Sequence, residues 1–360
     1  TLLATPKRNT HTQTQTHTHT HTSQEKGVWG CLVEREREGE CVCVCVCLSV
    51  AAIMESLTSS NKWLVESLSK DQVNMVSINK FFFAGQSPFQ SVDVVELGPW
   101  GRTLILDDKI QSTEFDEPVY HETLVHPGML LHPNPKTVFI GGGGEGATLR
   151  EVLRHRSVEK CVMVDIDGDC VNMCKEHLHQ HHDGAFEDPR TELIIDDARK
   201  QIEEYNGTFD VIIMDLADPL EVGPCFLLYT KEFYELVKKK LNPGGVFISQ
   251  TGPGGIHAVT SVGTPVCNTV AQVFRHTRPY ITHVPSFSDL YSFVAASDEH
   301  DLATISPEEV DRRIAERLTK ETKHYDGLTH VNMTSLSKIH RKLYAEETRV
   351  VTPETPVFMP

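Results

Sequence analysis

Four short apolar runs in this chain each stop at acidic residues. Thr137 to Ile140 runs into the glycines Gly141 to Gly146, which are interrupted only by Glu145. Cys161 to Ile166 ends at Asp165-Ile166-Asp167, Glu192 to Ile195 at Asp196-Asp197, and Phe209 to Met214 at Asp215, with Asp218-Pro219 just beyond. A β-branched run that stops at glycines reads as a buried strand turning tightly into a helix, here Ala147 to Arg154. The spacing of Gly141, Gly143 and Gly146 fits a G-x-G-x-x-G turn. Such glycines either let a helix pack closely on a sheet or admit a nucleotide-like ligand, and spacing alone does not choose between them.

The acids narrow the choice. Asp165 lies nineteen residues beyond Gly146, the distance at which an acid accepts hydrogen bonds from ribose hydroxyls. No nearby arginine offers to hold a 2′-phosphate, and no Walker lysine follows the glycines. Asp197 is placed to take the exocyclic amine of adenine. A carboxylate at Glu145 repels a pyrophosphate and favours a cationic tail, which disfavours NAD and favours a sulfonium nucleoside. One acid at a strand end commonly caps the next helix, whereas four successive acidic ends predict a shared crevice.

The elements that position these residues follow from the pattern. Strands alternate with helices from residue 137 onward, and a fifth strand, Val246 to Gln250, follows the stop sequence Leu241-Asn-Pro-Gly-Gly245. This predicts an α/β fold with a doubly wound, mostly parallel, Rossmann-like sheet, whose ligands lie at the carboxyl ends of its strands. In front of it, Phe89 to Leu97 and Thr103 to Ile110 flank Gly98-Pro-Trp-Gly101, a hairpin signature for a small N-terminal antiparallel β domain. Lys62 to Phe89 reads as mixed and loop-like. A helix beginning in the acidic run Glu114 to Glu117 continues through Tyr120-His121-Glu122 to Leu131, and Asn134-Pro135 breaks it.

Composition sets the class. The 360 residues, 39% hydrophobic, suffice for one large α/β domain and a smaller companion, and the formal net charge is −16. That acidity argues against nucleic acid or anionic membrane partners and permits a cationic ligand. Residues 1–53 hold five basic and five acidic side chains, so the excess lies in the remainder. This head alternates Thr with His or Gln and then Cys with Val, as translated CA and TG repeats do, and reads as low-complexity sequence without a core. Met54 is the expected native start. The apolar stretch Cys41 to Ile53 follows acidic EREREGE and is too short to span a bilayer. The resulting division is a head at 1–53, a β-hairpin domain at 54–115 and a catalytic domain with a helical tail at 116–360. Cys161, Cys170, Cys174, Cys225 and Cys267 lack paired metal-ligand spacing and suit reduced thiols in the cytoplasm. His177, His179, His181 and His182 read as a solvated helix end, and no metal site is expected.

Together, several stretches resemble the polyamine aminopropyltransferases, the spermidine and spermine synthase family. They are Leu106-Asp-Asp-Lys-Ile-Gln-Ser112, Glu114 to Glu117, Tyr120-His-Glu122, His132-Pro-Asn-Pro135, Gly142-Gly-Gly-Glu-Gly146 and Asp215-x-x-Asp218-Pro219. Glu145, Leu216-Ala217 and Gly223-Pro-Cys225 are most similar to the plant-type thermospermine synthase branch. The resemblance implies a methyltransferase-like fold and transfer of the aminopropyl group of decarboxylated S-adenosylmethionine, a co-substrate and not a cofactor, to a polyamine. It implies Asp215 as the catalytic group that orients the amine and accepts its proton. Gln90, His121, Glu145, Asp165, Asp197 and Ala198 would bind the nucleoside, and Tyr120, Asp218 and Phe287 the polyamine. Phe287 stands where spermidine synthases carry tyrosine, which weakens putrescine as acceptor and favours spermidine, with thermospermine as product. Alternatives are a spermidine or spermine synthase, a methyltransferase, which must bind a carboxylate that Glu145 opposes, and a non-catalytic polyamine-binding relative. Free strand edges in the front hairpin point to a homo-oligomer.

Overall fold

A computed structural model describes residues 62–359 except 222 and 224. The head, its cysteines and Met54 lie outside the described residues. Five antiparallel strands come first: β1 (Lys62–Ser69), β2 (Gln72–Gln86), β3 (Ser91–Leu97), β4 (Gly101–Leu106) and β5 (Lys109–Thr113), paired in chain order. The hairpin expected around Gly98 to Gly101 is β3–β4. Lys62 to Phe89 is not loop-like but mostly strand, β1 and β2 pairing from Lys62↔Ile78 to Ser69↔Gln72. Its alternation is blurred because Val65, Val73 and Met75 point outward and are half exposed. The stretch Thr103 to Ile110 is two strands, not one, because Asp107 and Asp108 both take positive φ (46° and 61°) and form the tight turn between β4 and β5.

Helix α1 (Glu117–Leu131) follows, then the large sheet. Its strands are β6 (Thr137–Gly142), β7 (Lys160–Asp165), β8 (Thr191–Ile195), β9 (Phe209–Asp215), β10 (Leu241–Pro253), β11 (His276–Val284) and β12 (Asp289–Ser297), in the order β11-β12-β10-β9-β6-β7-β8. β8 to β10 run parallel through the sheet, while β12 is antiparallel to both β10 and β11. The expected mostly parallel sheet is present. The fifth strand's bounds extend back to Leu241, with a register break before Val246 where Asn242-Pro-Gly-Gly245 lies.

Both faces of the sheet are covered, so its central strands are apolar throughout instead of alternating. Val138 and Ile140 of β6 pack on one side with Val211, Ile213, Val246 and Ile248, together with Leu124 and Met129 of α1. Phe139, Ile212, Met214 and Phe247 face the other side, against Phe233, Tyr234 and Val270. Helix α1 lies so close to β10 that a Cβ on Gly128 would fall 2.0 Å from Ile248 Cδ1. A larger residue there would have to displace the Ile248 side chain. The helices α2 (Ala147–Leu153) and α3 (Gly168–His177) start at the ends of β6 and β7. Among the described residues, no helix is long and apolar enough to cross a membrane.

Candidate active site

Because β6, β7 and β9 are adjacent and parallel, their carboxyl ends meet above the glycine turn. Gly142 is the register partner of Asp215. Gly142, Gly143 and Gly146 have φ of +84°, +78° and +81°, a region that side chains avoid and glycine enters freely. A Cβ on Gly143 would stand 3.0 Å from Asp215 Oδ2, and one on Gly144 3.0 Å from Asp165 Oδ2. Three acidic ends therefore converge, Glu145, Asp165 and Asp215. The fourth acid, Asp197, follows the edge strand β8, where its Oδ1 caps helix α4 (Ala198–Glu204) by accepting from the Arg199 and Lys200 N–H. Ala198 lies behind the turn, its Cβ 3.4 Å from where Gly141 would place one.

Asp215 is held from two elements. Tyr120, on α1, donates its hydroxyl to Oδ1 at 2.8 Å, and Thr148, in the first turn of α2, donates to Oδ2 at 2.6 Å. Burial, together with the Glu145 charge, pushes the Asp215 carboxyl up to about 6, against the lowering effect of His121 and these two donors. Asp165 is pushed up to about 6 by burial and by its acidic neighbours, even though it accepts the Asp167 N–H at 2.8 Å. A carboxyl near 6 is mostly ionised at neutral pH and is a better base than a free one.

Beside them sits a buried charge ladder. Glu117 and His121 are four apart on α1 and so share a face. His121 Nδ1 donates to the Glu117 carbonyl at 2.8 Å and approaches Glu117 Oε2 at 3.1 Å, while Nε2 lies 2.6 Å from Glu145 Oε1. Burial alone would favour neutral imidazole, yet the two carboxylates outweigh it and raise His121 to about 10. His121 is thus a cation, and it holds Glu145 below the usual carboxylate range despite burial. Arg150 Nη2 closes the ladder on Glu117 at 2.7 Å and on Glu151 at 2.8 Å. His121, Glu145 and Asp215 present ligand atoms within 4.8 Å of one another, as do Glu122, His126 and Glu151. In the first group the imidazolium has no lone pair to give a metal.

The wall around Asp218 is aromatic. Phe287 stands edge-on to Tyr120 at 5.9 Å and to Tyr291 at 5.1 Å, and Tyr291 donates to Asp218 Oδ1 at 2.8 Å. Burial raises the Asp218 carboxyl. Asp218 lies on the segment between β9 and helix α5 of the main sheet (Lys231–Lys240). Gln250 Nε2 secures that segment by donating to the Leu216 carbonyl at 2.7 Å, and the Met359 N–H does so by donating to the Pro219 carbonyl at 2.9 Å. From the front sheet, Gln90 Nε2 reaches Asp167 Oδ2 at 2.9 Å, one residue pair removed from Asp165.

Sequence reasoning missed Thr148, Glu117, Asp167 and Tyr291. Glu117 had a signal in its four-residue spacing to His121, and Asp167 in the Asp-x-Asp strand end. Thr148 and Tyr291 had none. The histidine reading needs correction: His181 and His182 are buried, not solvated, because their segment packs beneath the glycine turn, where Arg150 Nη1 donates to the His181 carbonyl at 2.5 Å. A Cβ on Gly146 would stand 2.7 Å from His182 Cβ. Cys161, Cys170, Cys174 and Cys267 are buried free thiols, and Cys225 is half-buried.

The family model described as "Spermine/spermidine synthase domain" matches residues 117–306, and "Spermidine synthase tetramerisation domain" matches residues 62–114. A polyamine aminopropyltransferase of Aeropyrum pernix is 45% identical over 83% of this chain and 95% of its own length. A thermospermine synthase of Arabidopsis thaliana is 42% identical over 82% of this chain and 87% of its own. Among solved structures, a spermidine synthase from Thermotoga maritima superposes with a TM-score of 0.71 at 32% identity, covering 80% of this chain and 96% of the other. A spermidine synthase bound to the transition-state analogue AdoDATO matches equally well, over 79% of this chain and 95% of its own. With three converging carboxylates at a glycine turn and an aromatic wall opposite, the chain belongs to the spermine/spermidine synthase family and is a polyamine aminopropyltransferase that uses decarboxylated S-adenosylmethionine.

Proposed function

We propose that this enzyme transfers the aminopropyl group to spermidine, giving thermospermine, methylthioadenosine and a proton. The observation that carries this reading is Phe287: it turns an apolar edge to Tyr120 where spermidine synthases, by the resemblance, offer a hydroxyl. A diamine loses a polar contact there, whereas the methylene chain of a triamine gains an apolar one. The similarity to a thermospermine synthase supports the same choice.

The reaction is an in-line displacement. The acceptor nitrogen attacks the carbon next to the sulfonium, the C–N bond forms as the C–S bond breaks, and methylthioadenosine leaves with the electron pair. Both reactants are cations. At about 4 Å and an effective dielectric near 20 they repel by about 4 kcal/mol, which the acids of the site offset. Asp215 orients the amine lone pair and takes its proton, while Glu145 binds the amine of the aminopropyl arm, beside its salt bridge to His121. Asp165, supported through Asp167 and Gln90, takes the ribose, and Asp197 with Ala198 takes the adenine edge. Tyr120, Phe287 and Asp218 hold the acceptor.

The front sheet, whose family model is described by tetramerisation, is the proposed homo-oligomer interface, with Val65, Val73 and Met75 on its exposed face. The free thiols suit the cytoplasm. Chromatography of the products from purified enzyme offered putrescine and spermidine separately tests the acceptor. Thermospermine from spermidine is expected. Spermidine formed from putrescine as the main product, or spermine from spermidine, overturns the reading.

A further inference from the structure

The hydroxyl absent from Phe287 reappears four residues along the chain. The Tyr291 phenol donates to Asp218 Oδ1, and its ring meets Phe287 at 5.1 Å and Tyr120 at 5.7 Å. Tyr120 in turn donates to Asp215 Oδ1. The site therefore contains two phenol–carboxylate pairs joined through their rings, one at the reacting end and one three residues further along. The turn that carries Phe287 is tied to the front of the chain: Ser288 has φ +58°, and buried Asp116 accepts from the Ser286 N–H at 2.7 Å and from its hydroxyl at 2.9 Å. Asp116 is itself tied to Thr113 at the end of β5.

We propose that Tyr291 is a positioning residue that sets acceptor choice, holding Asp218 in one orientation for the distal ammonium while Phe287 supplies the apolar wall for the methylene chain. The Tyr291–Asp218 distance and the edge contacts carry the assignment. A donor aimed at a buried carboxylate favours its charged form and fixes its direction, which is what recognition of an ammonium needs. The proposal rests on the acceptor reading above only for which amine is preferred.

The test uses the full chain with Y291F and the exchange F287Y/Y291F, measuring steady-state kinetics with each amine. In Y291F the KM for spermidine is expected to rise roughly tenfold or more, because a hydrogen bond to a charged group is lost, while kcat and the KM for the nucleoside stay as they were. In the exchange variant the preference is expected to move toward putrescine. An unchanged amine KM in Y291F, or a fall in kcat at constant KM, overturns the proposal. If the unmodified enzyme itself prefers putrescine, the acceptor reading fails alone, and the putrescine KM of Y291F still decides the role of Tyr291. Should Y291F not fold, D218N with Tyr291 intact must show the same selective rise in amine KM; if it does not, the role is refuted.

Discussion

His121 Nε2 lies 2.6 Å from Glu145 Oε1, so the one acid of the glycine turn faces a cation supplied by α1. Glu117 bonds the opposite ring nitrogen, and the imidazolium is held at about 10 against an ordinary 6.5. A base whose folded value is raised contributes stability in full below about pH 6.5 and loses it as pH rises through about 10. Removing the ring leaves Glu145 without its cation in a buried site, while Glu117 keeps Arg150. H121A should therefore destabilise the protein by about 3–5 kcal/mol at pH 6, with a raised KM for the nucleoside. Thermal melts from pH 6 to 11 check the origin of this loss. The gap between the two proteins must narrow above pH 10, and a constant gap would mean that packing alone is responsible.

Asp215 makes a separate prediction. Its carboxyl sits at about 6, raised by burial and Glu145. In the role proposed for it the ionised form accepts the amine's proton, so kcat/KM should fall as pH drops through 6. Folding responds in the opposite sense: a carboxyl raised in the folded state adds stability at acid pH that is lost as pH climbs from about 4 to 6. D215N should keep nucleoside binding by calorimetry and lose about two to four orders of magnitude in turnover. Near-normal methylthioadenosine release would remove Asp215 from its assigned role.

Thr148 tests whether that value is tuned. It is fully buried, and its hydroxyl bonds Asp215 Oδ2 at 2.6 Å, stabilising the carboxylate. In T148V the donor is gone while the shape is kept. The acidic limb of kcat/KM should shift upward by about one pH unit, since one unit corresponds to about 1.4 kcal/mol, the size of such a hydrogen bond. The plateau at high pH should move little. A profile superimposable on the unmodified enzyme would show that Thr148 serves packing only.

Much of this site was legible in the sequence because strand ends, glycines and acids are local signals. β6, β7 and β9 were readable as apolar runs ending in acid, and parallel alternation brings their ends together. That β8, the strand leading to Asp197, lies at the sheet's edge is a property of strand order, which no run of residues encodes. Thr148 and Tyr291 were invisible for a related reason. Each touches an acid far away in the chain, Asp215 and Asp218, and a threonine in a first helical turn or a tyrosine in a strand is ordinary on its own. The front sheet was partly misread because its outward apolar residues, Val65, Val73 and Met75, mask the alternation that marks a strand facing water.

The glycine turn separates two kinds of close approach. A Cβ on Gly142 would meet the main-chain oxygen of Asp215 at 2.1 Å and its carbonyl carbon at 2.9 Å, and φ is +84°. Main chain cannot rotate aside as a side chain can, so G142A must shift the end of β9 and carry the Asp215 carboxylate with it. Strain at a positive φ adds about 1–2 kcal/mol. A displacement of about 1 Å at a reacting group lowers turnover by about a hundredfold. Gly144 differs. Its Cβ would meet a side-chain atom, Asp165 Oδ2, at 3.0 Å, and no positive φ is required of it. That carboxylate can rotate away, at the expense of the ribose contact proposed for it. G142A should thus depress kcat, whereas G144A should raise the KM for the nucleoside and leave kcat nearly unchanged. Steady-state kinetics on the two variants, with melting curves as a control for folding, decide the matter. Equal effects of both on kcat would show that the turn acts as one unit and that Asp165 and Asp215 do not divide the work between them.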